Sequence, residues 1–231
     1  MAVLIRDDLL QIRAPALNFY VLRDTGGLYL IDAGFIGGRA FLRRALRKHG
    51  WSDDPIRGII VTHGHLDHIL NVGAIARETG AWIAAPRLDA KHYAGEARYA
   101  GISRVTGMLE AIGKPLLGFE PFMPSRLLDD GDPLDVWRGL QAVHLPGHTA
   151  GHMGFYCARL KLLFSADLFA TYFGAPYLPP AIFNSDPARI PASVARALSL
   201  DLEGVLPNHG DRAAPSVQLA RLRRFAEKHG I

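Results

Sequence analysis

The chain has 231 residues, of which 49% are hydrophobic and 21% charged, and its formal net charge is +4. This length and apolar content predict one globular domain over residues 1–231 and exclude a disordered chain. No run of eighteen apolar residues occurs and charged residues interrupt the first segment at positions 6–8, so we expect no membrane span, no signal peptide and a cytoplasmic protein.

The charge pattern and the cysteine content narrow the function further. Basic residues recur at helical spacing in 39–48 and 221–228, which is typical of solvated helix faces. Nucleic-acid binding would need a basic stripe interleaved with aromatic residues. Cys157 lies alone in an apolar, strand-like segment, which predicts a buried, unreactive thiol. We therefore expect neither a nucleic acid nor a membrane as partner.

The first fifty residues predict an antiparallel sheet with one helix packed on it. Alternating apolar segments indicate strands at 2–5, 9–14, 17–22 and 28–31, and the glycine-containing segment 24–27 predicts a hairpin turn between the last two. The fourth strand ends at Asp32. Apolar residues at helical spacing then predict a helix over 38–49.

A dense group of metal-ligating residue types follows the apolar run 58–61. The segment 62–68, THGHLDH, places three histidines and one aspartate within six residues. Imidazole and carboxylate are the groups by which proteins bind zinc, iron and manganese. Because the chain leaves a strand here, the irregular backbone can aim several side chains at one point. The pattern predicts a metal site at the end of this strand.

Three later segments repeat the arrangement of a short apolar run followed by a candidate ligand. These ligands are His148 in LPGHTAGH (145–152), Asp167 after the run 161–164, and His209 after the run 204–206. An H-x-H-x-D-H segment followed in order by His, Asp and His resembles the metallo-β-lactamase superfamily, in particular its glyoxalase II and lactonase-like branch. The resemblance spans nearly the whole chain.

The resemblance implies a fold and a ligand set. The fold would be an α/β protein, the αβ/βα four-layer sandwich of two mixed sheets flanked by helices. Two divalent metal ions would be the cofactor, with zinc favoured over iron or manganese. One ion would be held by His63, His65 and His148 and the other by Asp67, His68 and His209, with Asp167 bridging them. Asp67 and Asp167 would be the catalytic carboxylates.

This ligand set implies hydrolysis. Two divalent ions lower the pKa of a bound water from 15.7 to about 7, which supplies a bridging hydroxide at neutral pH. The chain has no G-x-S-x-G serine motif, in agreement with a water nucleophile. An aspartate at 167 resembles the thioesterases and lactonases, so we predict cleavage of a small ester, lactone or thioester. The alternative is a mononuclear iron dioxygenase resembling the persulfide dioxygenases, with His63, His148 and Asp167 as its triad.

Two segments rich in aromatic and apolar residues are candidates for the substrate pocket. Residues 86–127 form a variable helical lid segment, and the aromatic loop 168–183 leaves Asp167. We expect them to form the pocket walls for a small molecule with an apolar portion. The first segment alternatively fills a helical subcore or serves as a homodimer surface. Lactonases often carry a tyrosine where this chain has Ala170, and Tyr172 or Tyr177 could replace it.

The remaining expectations concern supporting residues and helices. Asp32 supports the metal loop in the superfamily, although an aspartate here could also be an ordinary turn residue. For His152 we expect a hydrogen bond that shapes its loop rather than metal ligation. Helices are predicted at 69–78, 190–200 and 217–229. Only 22 residues follow His209, fewer than the helical glutathione-binding domain of glyoxalase II enzymes needs, so we expect a substrate other than a glutathione thioester.

Overall fold

The computed structural model describes residues 2–15 and 17–231. The strands are β1 Ala2–Arg6, β2 Leu9–Ala14, β3 Leu17–Asp24, β4 Gly27–Ile31, β5 Ile56–Ile60, β6 Trp82–Pro86, β7 Arg126–Leu128, β8 Pro133–Leu134, β9 Leu140–His144, β10 Met153–Cys157, β11 Leu162–Ala166, β12 Ala170–Tyr172, β13 Ala175–Tyr177 and β14 Gly204–Pro207. The α-helices are α1 Gly38–His49, α2 Leu66–Ile69, α3 Val72–Thr79, α4 Ala90–Tyr93, α5 Arg104–Leu117, α6 Ile190–Leu198 and α7 Pro215–His229.

The strands form two large mixed sheets and one small hairpin. The first sheet runs in the order β1-β2-β3-β4-β5-β6-β7, and the second in the order β14-β11-β10-β9-β8. In the first sheet, β1 to β4 are antiparallel and β4 to β7 are parallel. In the second, only the β11–β14 pair is parallel. Strands β12 and β13 pair as the hairpin.

Three apolar clusters show how the sheets and helices stack. Side chains alternate across each strand, so Tyr20 and Leu22 of β3 pack toward the second sheet whereas Phe19 and Val21 pack toward the helices. Residues of α1 and α3 cover the outer face of the first sheet. Residues of α6 and α7 cover the outer face of the second sheet. The predicted αβ/βα four-layer sandwich is therefore confirmed.

The helix predicted over 69–78 is divided in two. Helix α2 begins at Leu66 inside the metal-ligand motif and ends at Ile69, and α3 begins at Val72. The division falls at Asn71, whose buried side-chain amide donates hydrogen bonds to the carbonyl oxygens of Ala33, Gly34 and Phe35. These contacts tie the helix junction to the loop after β4. Apolar spacing continues across the junction, so the sequence did not reveal it.

The remaining predicted elements agree with the structure, with small shifts at their ends. Helix α6 ends at Leu198, two residues earlier than predicted. Segment 86–127 holds the short helix α4 and the longer α5, and it ends in the edge strand β7. Cys157 is buried, as expected. Among the helices in 2–15 and 17–231, none is both long and apolar enough to cross a bilayer.

Candidate metal centre

The predicted ligands follow the carboxyl ends of strands that come from both sheets. Strands β4 and β5 are parallel neighbours in the first sheet, and β11 and β14 are parallel neighbours in the second. Parallel neighbours end at the same edge of a sheet, so the loops that follow these strands lie together. Asp32 follows β4, the 62–68 segment follows β5, Asp167 follows β11 and His209 lies two residues after β14.

The structure brings all seven predicted ligands together as three overlapping groups. Within each group the potential ligand atoms lie no more than 4.8 Å apart, a spacing compatible with a shared ion whose ligand bonds are about 2.0–2.2 Å long. The groups are His63, His65 and His148; His63, His68 and Asp167; and Asp67, His68 and His209. Because each group shares a residue with another, the ligands form one continuous centre.

Asp167 lies between the two halves of this centre, one formed by His63, His65 and His148 and the other by Asp67, His68 and His209. Its Oδ2 is 3.2 Å from Nε2 of His148 and 3.2 Å from Nε2 of His209. Its Oδ1 is 3.4 Å from Nε2 of His68. Asp67 belongs to one half only, with its Oδ2 3.2 Å from Nε2 of His209. The geometry therefore separates one carboxylate that faces both halves from one that faces a single half.

Buried atoms without hydrogen-bond partners show that these residues fit metal ions. Nε2 of His63, Nε2 of His68 and Oδ1 of Asp167 are all buried and make no hydrogen bond. Leaving such a group unsatisfied costs about 1–3 kcal/mol, and buried polar groups in proteins nearly always have a partner. Three buried polar atoms that have no hydrogen-bond partner and converge on one point are what a cation site requires.

Asp32 supports the ligand loop through hydrogen bonds, the role that the resemblance implied for it. Its Oδ2 accepts hydrogen bonds from the Thr62 hydroxyl (2.8 Å), from Nδ1 of His68 (2.8 Å) and from the Asn208 amide (2.6 Å). Its Oδ1 accepts the backbone N–H of Thr62 (2.8 Å). The bond to Nδ1 directs Nε2 of His68 toward the centre and raises the basicity of that nitrogen. Asp32 thus links β4, the ligand loop and the segment after β14.

Asp89 performs a similar task and was not predicted. It lies three residues after β6 and is buried. Its Oδ2 accepts hydrogen bonds from the N–H of Gly64 (2.9 Å) and the hydroxyl of Thr149 (2.6 Å), and its Oδ1 accepts from the N–H of Gly151 (2.8 Å). One carboxylate therefore joins the 62–68 loop to the 145–152 loop and fixes the distance between them.

Two further contacts orient the predicted ligands His148 and Asp167. Nδ1 of His148 lies 2.9 Å from Oδ1 of Asn184, a residue that the sequence did not single out. His152 accepts the backbone N–H of Asp167 at 3.0 Å through Nε2, while its Nδ1 donates to the carbonyl oxygen of Leu145. Burial lowers the pKa of His152 to about 3, so its ring is neutral, as this pair of bonds requires. The predicted supporting role of His152 is confirmed.

The charges in the centre are unevenly distributed. Burial opposes protonation of His68 and His209, but the charges of Asp167 and Asp67 outweigh it, raising the pKa of His68 to about 10 and that of His209 well above 6.5. Burial by itself would raise the pKa of both aspartates, but the charges of His68 and His209 hold these pKa values well below the usual range. Both aspartates are therefore anionic at neutral pH.

His63 and His65 behave differently from that pair. Burial is the largest cause that lowers the pKa of each ring well below 6.5, and neighbouring histidines lower it further. Both rings are neutral at physiological pH, so their lone pairs are available for a cation without loss of a proton. The centre thus joins a neutral histidine half to a half in which histidines and carboxylates form ion pairs.

Comparison with known proteins agrees with this centre. The family model described as "Metallo-beta-lactamase superfamily" matches residues 14–215. The chain belongs to the metallo-β-lactamase superfamily. A hydroxyacylglutathione hydrolase from Chelativorans sp. (strain BNC1) is 26% identical over 194 residues, which cover 82% of this chain and 60% of that protein. The chain therefore spans about 60% of the length of that relative.

Solved structures of the superfamily show the same fold. A metallo-beta-lactamase family protein of Thermus thermophilus, TTHA1429, has a TM-score of 0.73 at 22% identity, covering 96% of this chain and 78% of that one. The protein TTHA1623, solved in a di-iron-bound form, has a TM-score of 0.66 at 25% identity, covering 91% and 96% respectively. Membership in the superfamily and the His/Asp groups together indicate divalent metal binding.

In this superfamily member a cavity of about 440 Å³ opens onto the metal centre. Both predicted wall segments line it, which confirms their place beside the ligands. Helix α5 contributes Leu109, Glu110 and Leu117, and the 168–183 loop contributes Phe169, Tyr172 and Phe183. Leu17 of β3, Pro15 of the turn between β2 and β3, and Phe35 of the loop after β4 complete the wall, a contribution that the sequence did not indicate.

Of the two tyrosines considered, one lies at the centre. Tyr172 lines the cavity, and its hydroxyl is 3.3 Å from Nδ1 of His209. Tyr177 is half exposed on β13. A hydroxyl that contacts the outer nitrogen of a predicted ligand orients that ligand, so Tyr172 acts on His209 in this structure.

Proposed function

We propose that this chain is a dinuclear metal-dependent hydrolase that cleaves a small ester, lactone or thioester with an apolar portion. The observation that carries the proposal is the position of Asp167, whose two carboxylate oxygens face histidines of both ligand groups. A carboxylate in that place suits two ions that share one ligand. We place zinc first among the metals, with iron and manganese as the alternatives.

The residues of the centre and of the cavity have different roles in the proposed reaction. When bound, two divalent ions supply a hydroxide nucleophile at neutral pH and polarise a carbonyl oxygen. His63, His65 and His148 would hold one ion, Asp67, His68 and His209 the other, and Asp167 both. The two aspartates balance two of the four positive charges, which leaves a net positive field toward the cavity. The apolar cavity walls bind the hydrophobic part of the substrate and exclude water.

The similar proteins support an acyl substrate. Several curated relatives are named hydroxyacylglutathione hydrolase, a name that denotes hydrolysis of an acyl group bound to glutathione. The apolar wall residues of α5 and the 168–183 loop favour an acyl group with hydrocarbon character over a phosphodiester, which would need cationic residues at the cavity. We place the dinuclear site ahead of the mononuclear iron alternative because Asp67, His68 and His209 come together as a complete second group.

The test is metal content per chain combined with hydrolysis of a small substrate panel. Protein reconstituted with zinc, manganese or iron is expected to bind two ions per chain and to hydrolyse a thioester or lactone, while a phosphodiester and a β-lactam serve as comparison substrates. Turnover of the phosphodiester alone would contradict the acyl assignment. One iron per chain without hydrolysis would instead support the dioxygenase.

Metal binding is expected to release protons from the ion-paired half of the centre. At pH 7 the metal-free protein carries protonated His68 and His209, because the pKa of His68 is about 10 and that of His209 is raised in the same direction. A ligating histidine must be neutral, so binding should release about two histidine protons per chain. Calorimetric titration in buffers of different ionisation enthalpy measures this number, and zero release would contradict it.

The sign of the pH dependence follows from the same shifts. His68, whose pKa is raised to about 10, stabilises the metal-free fold to its full extent below pH 6.5, and this stabilisation is lost as the pH rises toward about 10. His152, whose pKa is lowered to about 3, has the opposite effect, because the fold loses stability at this residue as the pH falls below 6.5. Apparent metal affinity should rise between pH 6.5 and 10, while the melting temperature of the metal-free protein falls.

A further inference from the structure

Helix α5 turns its polar side inward and its apolar side to solvent. Thr106 and Glu110 are buried, whereas Ile112 is 59% exposed and Leu116 is 78% exposed. The exposed apolar face, including the turn before the helix, consists of Ile102, Val105, Met108, Leu109, Ile112 and Leu116. A helix on the surface of a globular protein normally shows the opposite arrangement.

The polar contacts of α5 explain why the helix does not rotate to bury that face. The Thr106 hydroxyl donates to the carbonyl oxygen of Ile182 at 2.5 Å, and Glu110 Oε1 accepts the backbone N–H of Leu66 at 3.0 Å. Leu66 begins α2, which carries two of the predicted metal ligands. Glu110 therefore ties α5 to the ligand loop, and the requirements of the centre fix which side of the helix faces inward.

The spacing of the exposed residues is that of a helix–helix seam. Five of them, Ile102, Val105, Leu109, Ile112 and Leu116, are separated by three, four, three and four residues. This is the a/d spacing of heptads that pack knobs into holes. A membrane-surface helix would instead flank its apolar side with several basic residues, whereas Arg104 is the only exposed charge among the residues of α5, all of which are described.

The area of the exposed apolar face approaches that of half a dimer interface. The exposed parts of the six residues amount to roughly 600 Å², at the upper limit of the largest patch on a typical monomer. A standard stable interface buries about 800 Å² on each partner. Two copies of the same face would therefore come close to a complete interface once the residues at its rim are included.

We propose that α5 is the interface of a homodimer in which two copies of the chain pack α5 against α5, antiparallel, around a two-fold axis near Leu109. An antiparallel arrangement about Leu109 brings Ile102 of one copy near the position of Leu116 in the other, so the two apolar faces meet along their length. Leu109 and Leu117 also line the cavity, so the second copy covers the open side of that wall. The dimer does not depend on which reaction the centre performs.

Sedimentation equilibrium of the full chain tests this arrangement. We expect a dimer at micromolar concentration, and a double variant, Ile112→Glu with Leu116→Glu, that is monomeric with a dissociation constant at least 100-fold higher. Both positions are exposed, so the variant should fold, which circular dichroism checks. The matched control is Val217→Glu, a 44% exposed position on α7, which should remain dimeric.

A cysteine variant locates the axis. Cys157 is buried, so Leu109→Cys provides an accessible thiol that should form an intermolecular disulfide with diamide as oxidant, whereas Val217→Cys should not. A wild-type monomer at 100 µM would overturn the proposal, as would a dimer that survives the double variant. A monomer that sediments with vesicles of phosphatidylcholine and phosphatidylglycerol would assign the apolar face to a membrane instead.

Discussion

Replacing Asp167 by asparagine is expected to lower kcat/KM for the acyl substrate by at least about 10³-fold and to reduce the metal content from two ions per chain to one. The substitution keeps the size of the side chain, but an amide nitrogen cannot ligate a cation. It also removes the charge that faces both ligand groups at 3.2–3.4 Å. Elemental analysis and steady-state kinetics on the proposed thioester or lactone measure the two effects.

The matched control for this variant is Asp130→Asn. Asp130 is a surface carboxylate that pairs with Arg196 at 2.8 Å, and exposed pairs of this kind contribute about 0–1 kcal/mol. The control should therefore retain two metals and full activity. If Asp167→Asn also kept two ions and activity within tenfold of the wild type, the assignment of Asp167 as the shared ligand would be wrong.

The positions of the predicted ligands follow from local sequence patterns. The ligands lie in the segments that follow short apolar runs, and these runs form the buried strands β5, β9, β11 and β14. The run Phe19, Tyr20, Val21 and Leu22 was likewise predicted as a strand, and the structure buries it on both faces. Strand ends and ligand types are local properties, and they were sufficient to predict a metal site at the end of a strand. The four-layer sandwich and the division of the ligands into two groups were implied by the resemblance to the metallo-β-lactamase superfamily.

The supporting residues depend on contacts between distant segments and were found only in the structure. Asp89 joins Gly64 to Gly151, and Asn184 contacts His148 across 36 positions. No periodicity or spacing encodes such pairs. The one signal that could have identified Asp89 is its position shortly after β6, since aspartates after the other parallel strands also turn toward the centre.

Helix α5 shows a second limit of sequence patterns. Apolar spacing correctly indicated helical structure within 86–127, and an apolar stripe usually marks the side that faces the core. Here the hydrogen bonds of Thr106 and Glu110 determine the inward side instead. A pattern of hydrophobicity reports that a helix has two faces, but the partner of each face depends on tertiary contacts, and the partner proposed for the apolar face of α5 is a second chain.

Replacing Asp32 by alanine is expected to combine a large loss of stability with weaker metal binding. Four hydrogen bonds would lose their acceptor, among them the one from Nδ1 of His68. Unsatisfied buried donors cost about 1–3 kcal/mol each, so the loss of four such bonds should lower the free energy of unfolding by at least about 4 kcal/mol. Loss of a residue that orients a ligand weakens metal affinity about 10–100-fold.

Asp32→Asn separates the contribution of the carboxylate from that of the backbone. Asp32 has a φ of 60°, a left-handed conformation that asparagine adopts far more readily than alanine. The asparagine variant should therefore lose less stability than the alanine variant, yet show a similar fall in metal affinity, because its amide cannot accept all four donors. Denaturant unfolding of the metal-free protein and calorimetric metal titration measure the two quantities.

The control for both variants is Asp24→Asn, at the end of β3, where the side chain accepts hydrogen bonds from the neighbouring Thr25 at the surface. It should change neither quantity by more than about 0.5 kcal/mol. If Asp32→Asn bound metal as tightly as the wild type, Asp32 would be a turn residue that stabilises the backbone alone. If affinity falls while stability is largely kept, the carboxylate acts through Nδ1 of His68, and the loop after β4 belongs to the metal centre.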